Sequence, residues 1–432
     1  MSLVLENPEA APAGTARYSP DLQAFVFALF FAFGGITSLN DVIVPKLKAL
    51  FTLTYNEATL VQSAFFAAYF VCSIPAAALV RRIGYMRSAV AGLLIMAGGC
   101  LLFVPASSYG VYSLFLLALF VLGAGITTVQ VVANPLISML GPAKTTSSRL
   151  TFAQAFNSFG TTVFPYVGSI LILGTLASVD PSTLSGAALA TFRSVETRVV
   201  VHTYEGLGVA LLLLGSVVWL RRKALTEAPA DATPMLQAFN LLKRPRFALG
   251  TVCIFLYVGG EVAIGSMMVN YLMQPSALGM AAQAAGKHVA FYWGGAMIGR
   301  FLGAYVLRIF APWKVLVCAA AFVVGLLALS ANSIGWVAGW SLIAVGLFNS
   351  IMFPTIFSLA SEGLGQRAAE GSGVICMAIV GGAIVPKLWG MAADAGGLRE
   401  ALLVPAICYC GILLYGWFAR SPASREAGVA GH

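Results

Sequence analysis

Four ionisable residues stand inside stretches that are otherwise apolar: Asp41, Glu261, Arg300 and Lys387, with Glu205 nearer the end of such a stretch. A charge at the centre of a membrane helix costs about 2.5–3.5 kcal/mol on insertion scales, so each must face a cavity or a partner. Asp41 follows Asn40 and precedes Pro45. A carboxylic acid in such surroundings can take up and release a proton near neutral pH, which is what a proton carrier needs. The alternative is a buried ion pair with a base such as Arg300, which would hold the acid ionised. Glu261 sits in Tyr257-Val258-Gly259-Gly260-Glu261, where the glycines let a backbone or a ligand come close. It serves either as a ligand to a polar solute or as the charge partner of a base on a neighbouring helix. Arg300, in Gly299-Arg300-Phe301-Leu302-Gly303, reads as a lock between helices, and Lys387 as a side chain that snorkels to the membrane surface.

Uncharged polar residues fall into two stripes. Thr127, Gln130 and Asn134 recur at i, i+3, i+7, and Thr151, Gln154, Asn157 or Ser158, and Thr161 form a similar row on the next apolar stretch. An amide offers a donor and an acceptor together, which suits the vicinal hydroxyls of a sugar. Phe156, Trp293 and Phe353 can stack on the apolar face of a pyranose ring. Taken singly, each amide can instead join helix to helix; two stripes on consecutive helices favour a cavity. No G-x-x-x-x-G-K-[ST] loop is present, which argues against ATP-driven work, and no Ser-His-Asp or Cys-His set marks an enzyme. The three histidines are scattered and the seven cysteines lie in apolar stretches, so neither a metal site nor a cofactor is expected. The energy is expected from a gradient.

The elements that must position these groups follow from composition. The 432 residues are 59% hydrophobic and only 9% charged, with a mean hydropathy of +0.89. A soluble chain carries about 25% charged residues, so a soluble enzyme is excluded. The bases sit in short loops between apolar runs, which reads as membrane topology and not as a nucleic-acid groove. Runs long enough to cross a bilayer, about 20 residues each, lie near 22–44, 59–80, 89–105, 110–137, 150–174, 199–220, 247–273, 288–307, 315–331, 335–360, 371–393 and 400–419. The expected fold is therefore an all-α membrane protein of twelve transmembrane helices. Seventeen of the 25 basic residues fall on the side of the N-terminus and six on the other, which predicts both termini in the cytosol. The chain divides into a tail at 1–20, a six-helix bundle at 21–220, a proline-containing cytosolic connector at 221–246, a second bundle at 247–420 and a tail at 421–432.

The halves also resemble each other. Ala64-Phe65-Phe66 ahead of Arg82 matches Ala290-Phe291-Tyr292 ahead of Arg308, Gly34-Gly35 matches Gly259-Gly260, and Gly160 and Pro165 match Gly381 and Pro386. Matches in one consistent order predict duplicated bundles that rock around a central site.

Helix one carries Leu39-Asn40-Asp41-Val42-Ile43-Val44-Pro45, helix two Gln62-Ser63-Ala64-Phe65-Phe66, helix four Ala133-Asn134-Pro135, helix five Gln154-Ala155-Phe156-Asn157-Ser158-Phe159-Gly160, and helix ten Phe353-Pro354-Thr355. Together these resemble the fucose–galactose–glucose:proton symporter family of the major facilitator superfamily, over essentially the whole chain. The resemblance implies two pseudo-symmetric six-helix bundles, a central monosaccharide site, and proton coupling through Asp41. The chain is also expected to be a multi-pass protein of the bacterial inner membrane that works without cofactor or nucleic acid, with the lipid bilayer as its setting and a monomer as its working form. Sodium as coupling cation, another sugar such as fucose, mannose or N-acetylglucosamine, and a non-transporting sugar sensor are the alternatives. Expected hydroxyl contacts are Asn40, Gln130, Asn134, Gln154, Asn157 and Glu261, with Arg300 as structural charge. Where the fucose branch carries a glutamate on helix four, this chain has Gln130. The superfamily's loop after helix two, G-x-x-x-D-R-x-G, is also altered: Ala77 stands for the first glycine and Arg81 for the aspartate, so the usual charge latch is not assured.

Overall fold

The computed structural model describes residues 20–51, 53, 55–168, 184–223 and 234–421. Twelve long helices follow one another: α1 Pro20–Phe51, α2 Tyr55–Ile83, α3 Tyr85–Tyr109, α4 Tyr112–Met139, α5 Thr146–Gly168, α6 Gly186–Leu220, α7 Pro245–Met273, α8 Ala282–Ile309, α9 Pro312–Asn332, α10 Gly335–Ala360, α11 Gly365–Gly396 and α12 Glu400–Phe418. Gly84 at φ 85° separates α2 from α3, and Gly110 at φ 63° ends α3, a left-handed stop that glycine adopts without a side-chain clash. Pro245 and Pro312 open α7 and α9, where a missing N–H costs nothing. Two helices are interrupted near mid-membrane. α10 breaks between Gly335–Asn349 and Met352–Ala360, and α11 carries a 3₁₀ turn at Ala378–Val380.

Among the described residues, ten of these helices are long and apolar enough to cross a bilayer by length and composition. α5 and α8 pack against each other across the middle of the molecule, as α2 and α11 do.

Helix partners repeat with a shift of six. α1 packs on α5 and α7 on α11; α2 on α4 and α8 on α10; α3 on α6 and α9 on α12. The glycine matches seen in the sequence do the same work in each bundle. A Cβ on Gly160 would lie 2.2 Å from the Phe31 carbonyl oxygen, and one on Gly381 2.1 Å from that of Phe255. The backbones of α1 and α5, and of α7 and α11, are therefore as close as glycine allows. The outer surface presents Leu213, Phe322, Leu302 and Leu414, the chemistry of a lipid-facing wall. At the end that carries the termini, three cations lie over tryptophan rings: Arg222 on Trp219 at 4.3 Å, Lys314 on Trp313 at 5.6 Å and Arg420 on Trp417 at 4.7 Å. Amphipathic rings with basic neighbours mark a membrane boundary.

Candidate functional site

The bundles meet along α2–α11 and α5–α8, with α4 reaching α11 and α10 reaching α5. On the C-terminal side, Tyr257 and Glu261 stand one turn apart on α7, and the Tyr257 hydroxyl donates to Glu261 Oε1 at 2.7 Å. Arg300 brings Nη2 to 3.9 Å from the same oxygen, an ion pair beyond hydrogen-bond length. The rest of its guanidinium is engaged elsewhere. Nε donates to the Ser350 main-chain carbonyl at 3.2 Å, in the break of α10, and Nη1 to the main-chain carbonyl of Gln154 at 3.4 Å and to Ser158 Oγ. Gln154 and Ser158 belong to α5, so Arg300 crosses from one bundle to the other. Gly299 and Gly303 on either side of it bring α8 against α10: a Cβ on Gly299 would lie 2.2 Å from the Leu347 carbonyl oxygen. Glu261 Oε2 carries no hydrogen bond among the described residues, and the side chain keeps 12% of its surface exposed. That oxygen is available to a solute.

Behind this pair lies a hydroxyl network. Tyr292 donates to the Glu261 carbonyl at 3.3 Å and accepts from Asn349 Nδ2 at 2.8 Å, and Asn349 also reaches Tyr409 at 3.4 Å. It fixes the backbone of Glu261 from α8, α10 and α12.

On the N-terminal side, Gln130 and Asn134 share a face of α4. Gln130 Oε1 and both amide atoms of Asn134 are buried without a hydrogen-bond partner among the described residues. Cys376 of α11 lies against Asn134 and Ser372, and Tyr69 of α2 lies against Thr37, with Cys376 in its vicinity. Gln154 is buried on α5. Asn157 is turned elsewhere: its Nδ2 donates to the Phe30 carbonyl at 3.3 Å and fills the space above Gly34, tying α5 to α1. Phe156 stacks on Phe27 at 4.9 Å within the same bundle. Phe353 is buried beside Tyr257, at 6.4 Å between centroids. Trp293 is 41% exposed, with its edge against Gly265, and is the accessible ring of the three. Lys387 is exposed on α11. Asn40 and Asp41 fall on α1, but their side chains lie outside the described residues.

Sequence reasoning missed Tyr257, Tyr292, Asn349, Tyr409, Thr37 and Tyr69. Two signals were present. Tyr257 is at i−4 from a buried carboxylate, within reach on one helix face, and Asn349 is an amide inside an apolar run.

Toward the terminus-bearing end the seam is shut. Arg81 Nη1 on α2 meets Glu370 Oε1 on α11 at 2.5 Å, and Arg367 Nη2 holds Glu370 Oε2 at 2.7 Å. A latch therefore exists in reversed polarity, with arginine where the superfamily pattern has aspartate. Gly373 lets α11 settle on α2, since a Cβ there would lie 2.7 Å from that of Ala77. Ser147 of α5 bonds Ser358 of α10 at 2.7 Å, and Ser148 donates to the Ala304 carbonyl of α8 at 2.6 Å. Beneath, a 3₁₀ helix at Met235–Lys243 in the connector touches α2, α7 and α11, and Arg367 donates to the Gln237 carbonyl at 3.0 Å.

The arrangement has known counterparts. The family model for the Major Facilitator Superfamily matches residues 25–386. The glucose/galactose transporter of Brucella abortus (strain 2308) is 46% identical over 388 residues, covering 90% of this chain and 91% of that one. The L-fucose-proton symporter of Escherichia coli (strain K12) is 34% identical over 438 residues, with 96% of each chain covered. The crystal structure of FucP, a Major Facilitator Superfamily transporter in the outward conformation, superposes with a TM-score of 0.82 at 32% identity, covering 93% of this chain and 99% of that one. Duplicated six-helix bundles, a polar cluster between them, and matches along most of the chain lead to one conclusion: this chain is a polytopic membrane protein that belongs to the Major Facilitator Superfamily.

Proposed function

We propose that the protein is a secondary active transporter that imports a monosaccharide of the glucose/galactose type together with a proton, by alternating access. The observation that carries this reading is the buried carboxylate of Glu261, which has one oxygen anchored and the other without a hydrogen bond among the described residues, beside an arginine that bridges the bundles. The likeness to proteins named as a glucose/galactose transporter and an L-fucose-proton symporter supports the substrate class and the coupling.

In this reading both termini are cytosolic and the membrane is the bacterial inner membrane. The Arg81–Glu370 end is then the closed inner gate, and the central cluster is reached from outside. Asp41 takes the proton on α1. Glu261, Gln130 and Gln154 face the sugar, with Trp293 as the stacking ring. Asn134 serves the path toward the cytosol, and Asn40 lies beside the proton site. Asn157 acts indirectly, by holding α5 to α1 at Gly34. The transporter works as a monomer.

Uptake of radiolabelled D-glucose and D-galactose into vesicles tests this, with and without an imposed pH gradient. Sugar added to lightly buffered vesicles is expected to make the outer medium more alkaline. Sodium-dependent uptake without a pH change refutes proton coupling, and absence of any monosaccharide uptake refutes the substrate class.

A further inference from the structure

Asn134 is an amide with no exposed surface on the seam between α4 and α11, and neither Nδ2 nor Oδ1 has a hydrogen-bond partner among the described residues. Facing it, Ser372 Oγ on α11 is in the same condition. Their shared polar neighbour is the Cys376 thiol, a weak donor and weak acceptor that meets only a small part of their hydrogen-bonding capacity. A buried polar group without a partner destabilises the state that buries it, and such a group asks for an explanation. Packing does not supply one, since the preceding residues of α4, Val131, Val132 and Ala133, fill the same depth with apolar side chains.

The position supplies it. Asn134 is one turn nearer the terminus-bearing end than Gln130 and on the same face of α4. Ser372 and Cys376 lie on the piece of α11 between the latch residue Glu370 and the 3₁₀ turn at Ala378–Val380. Opening of the latch would part this seam and bring its groups to line the path below the central cluster.

We propose that Asn134 and Ser372 form an inner binding station for the hydroxyls of the carried solute, one that exists only when α4 and α11 have separated. Their unpaired state in the shut seam limits how deep the shut state is. The ligand class rests on the monosaccharide reading above; the opening of the seam does not.

Cys376 makes the test direct. The full chain in proteoliposomes is treated with N-ethylmaleimide, and modification is read at each cysteine by peptide mass spectrometry, with buried Cys100 and Cys253 as references. Cys376 is expected to react faster than either reference. Asn134→Leu is expected to slow its labelling about tenfold and raise the melting temperature, because the shut seam then buries no orphan amide. Ser372→Ala should shift both in the same direction by less. In a Glu370→Gln background, which opens the latch, D-galactose or D-glucose should protect Cys376, and Asn134→Leu should remove the protection. Cys376 labelling as slow as Cys100 overturns the proposal, as does a lowered melting temperature in both Asn134→Leu and Ser372→Ala with labelling unchanged. Failure of the transported sugar to protect Cys376 also overturns it. A protein that takes up no sugar fails the transport reading instead, and the labelling and melting shifts decide the seam without sugar.

Discussion

Replacing Glu261 with glutamine separates a sugar ligand from a structural counter-ion, because the structure assigns its two oxygens different work. Oε1 accepts the Tyr257 hydroxyl at 2.7 Å, and an amide oxygen can keep that bond. Arg300 stands 3.9 Å away, so no hydrogen bond to it is lost. Its other donors remain on Ser350, Gln154 and Ser158. What disappears is a carboxylate at Oε2 that can accept from a sugar hydroxyl. A hydrogen bond to a charged group contributes about 1.5–3 kcal/mol, and about 1.4 kcal/mol is a factor of ten. Sugar affinity should therefore weaken roughly tenfold to a hundredfold.

Stability should change little in the same protein. A neutral amide is cheaper to bury than a carboxylate, which offsets the lost attraction to Arg300. About 1 kcal/mol corresponds to about 2–4 °C in a domain near 200 residues, so the melting temperature should stay within a few degrees of the parent. Calorimetric titration with D-glucose or D-galactose and a melting curve on one purified sample decide between the roles. Unchanged affinity with a melting temperature lowered by several degrees would show that Glu261 only neutralises Arg300, and the ligand argument would be wrong.

Other expectations follow from the same geometry. Asp41→Asn, which mimics the protonated acid, should abolish uphill accumulation but keep sugar exchange across vesicle membranes; accumulation equal to the parent would remove Asp41 as the proton carrier. Glu370→Gln loses charge-assisted bonds to Arg81 and Arg367, so the state with that end open should gain about tenfold to a hundredfold in population. Thiol labelling of Cys376 should rise accordingly, and an unchanged rate would rule out the latch. Gly381→Ala places a methyl 2.1 Å from the Phe255 carbonyl oxygen and should cost at least the 1–3 kcal/mol typical of overpacking; a parental melting temperature would contradict the close α7–α11 crossing.

What could be read in advance divides along a physical line. Bilayer thickness imposes runs of about 20 apolar residues, so the number and order of helices were legible. Their ends were less so, because hydropathy reports the membrane and not the helix. α6 begins at Gly186, well before the apolar run near 199, since Arg193, Glu196 and Arg198 lower hydropathy without breaking a helix. α1 runs through Pro45 to Phe51, as membrane helices tolerate proline when neighbours satisfy the freed carbonyl. The cost of burying charge likewise singled out Glu261 and Arg300. It could not say that Arg300 spends most of its donors on the opposite bundle, nor that Arg81 finds Glu370, 289 positions away, because no local period encodes such a pairing. The amides show the limit most sharply. Gln154 and Asn157 are alike in chemistry and one turn apart, and the sequence gives both the same promise. Asn157 is drawn to α1 because Gly34 leaves a space its side chain fills, whereas no glycine on α1 is filled by Gln154, whose side chain stays buried on α5 while its main-chain carbonyl accepts Arg300 from the other bundle. The job of Asn157 is set by the small residue opposite it, and that residue lies on another helix.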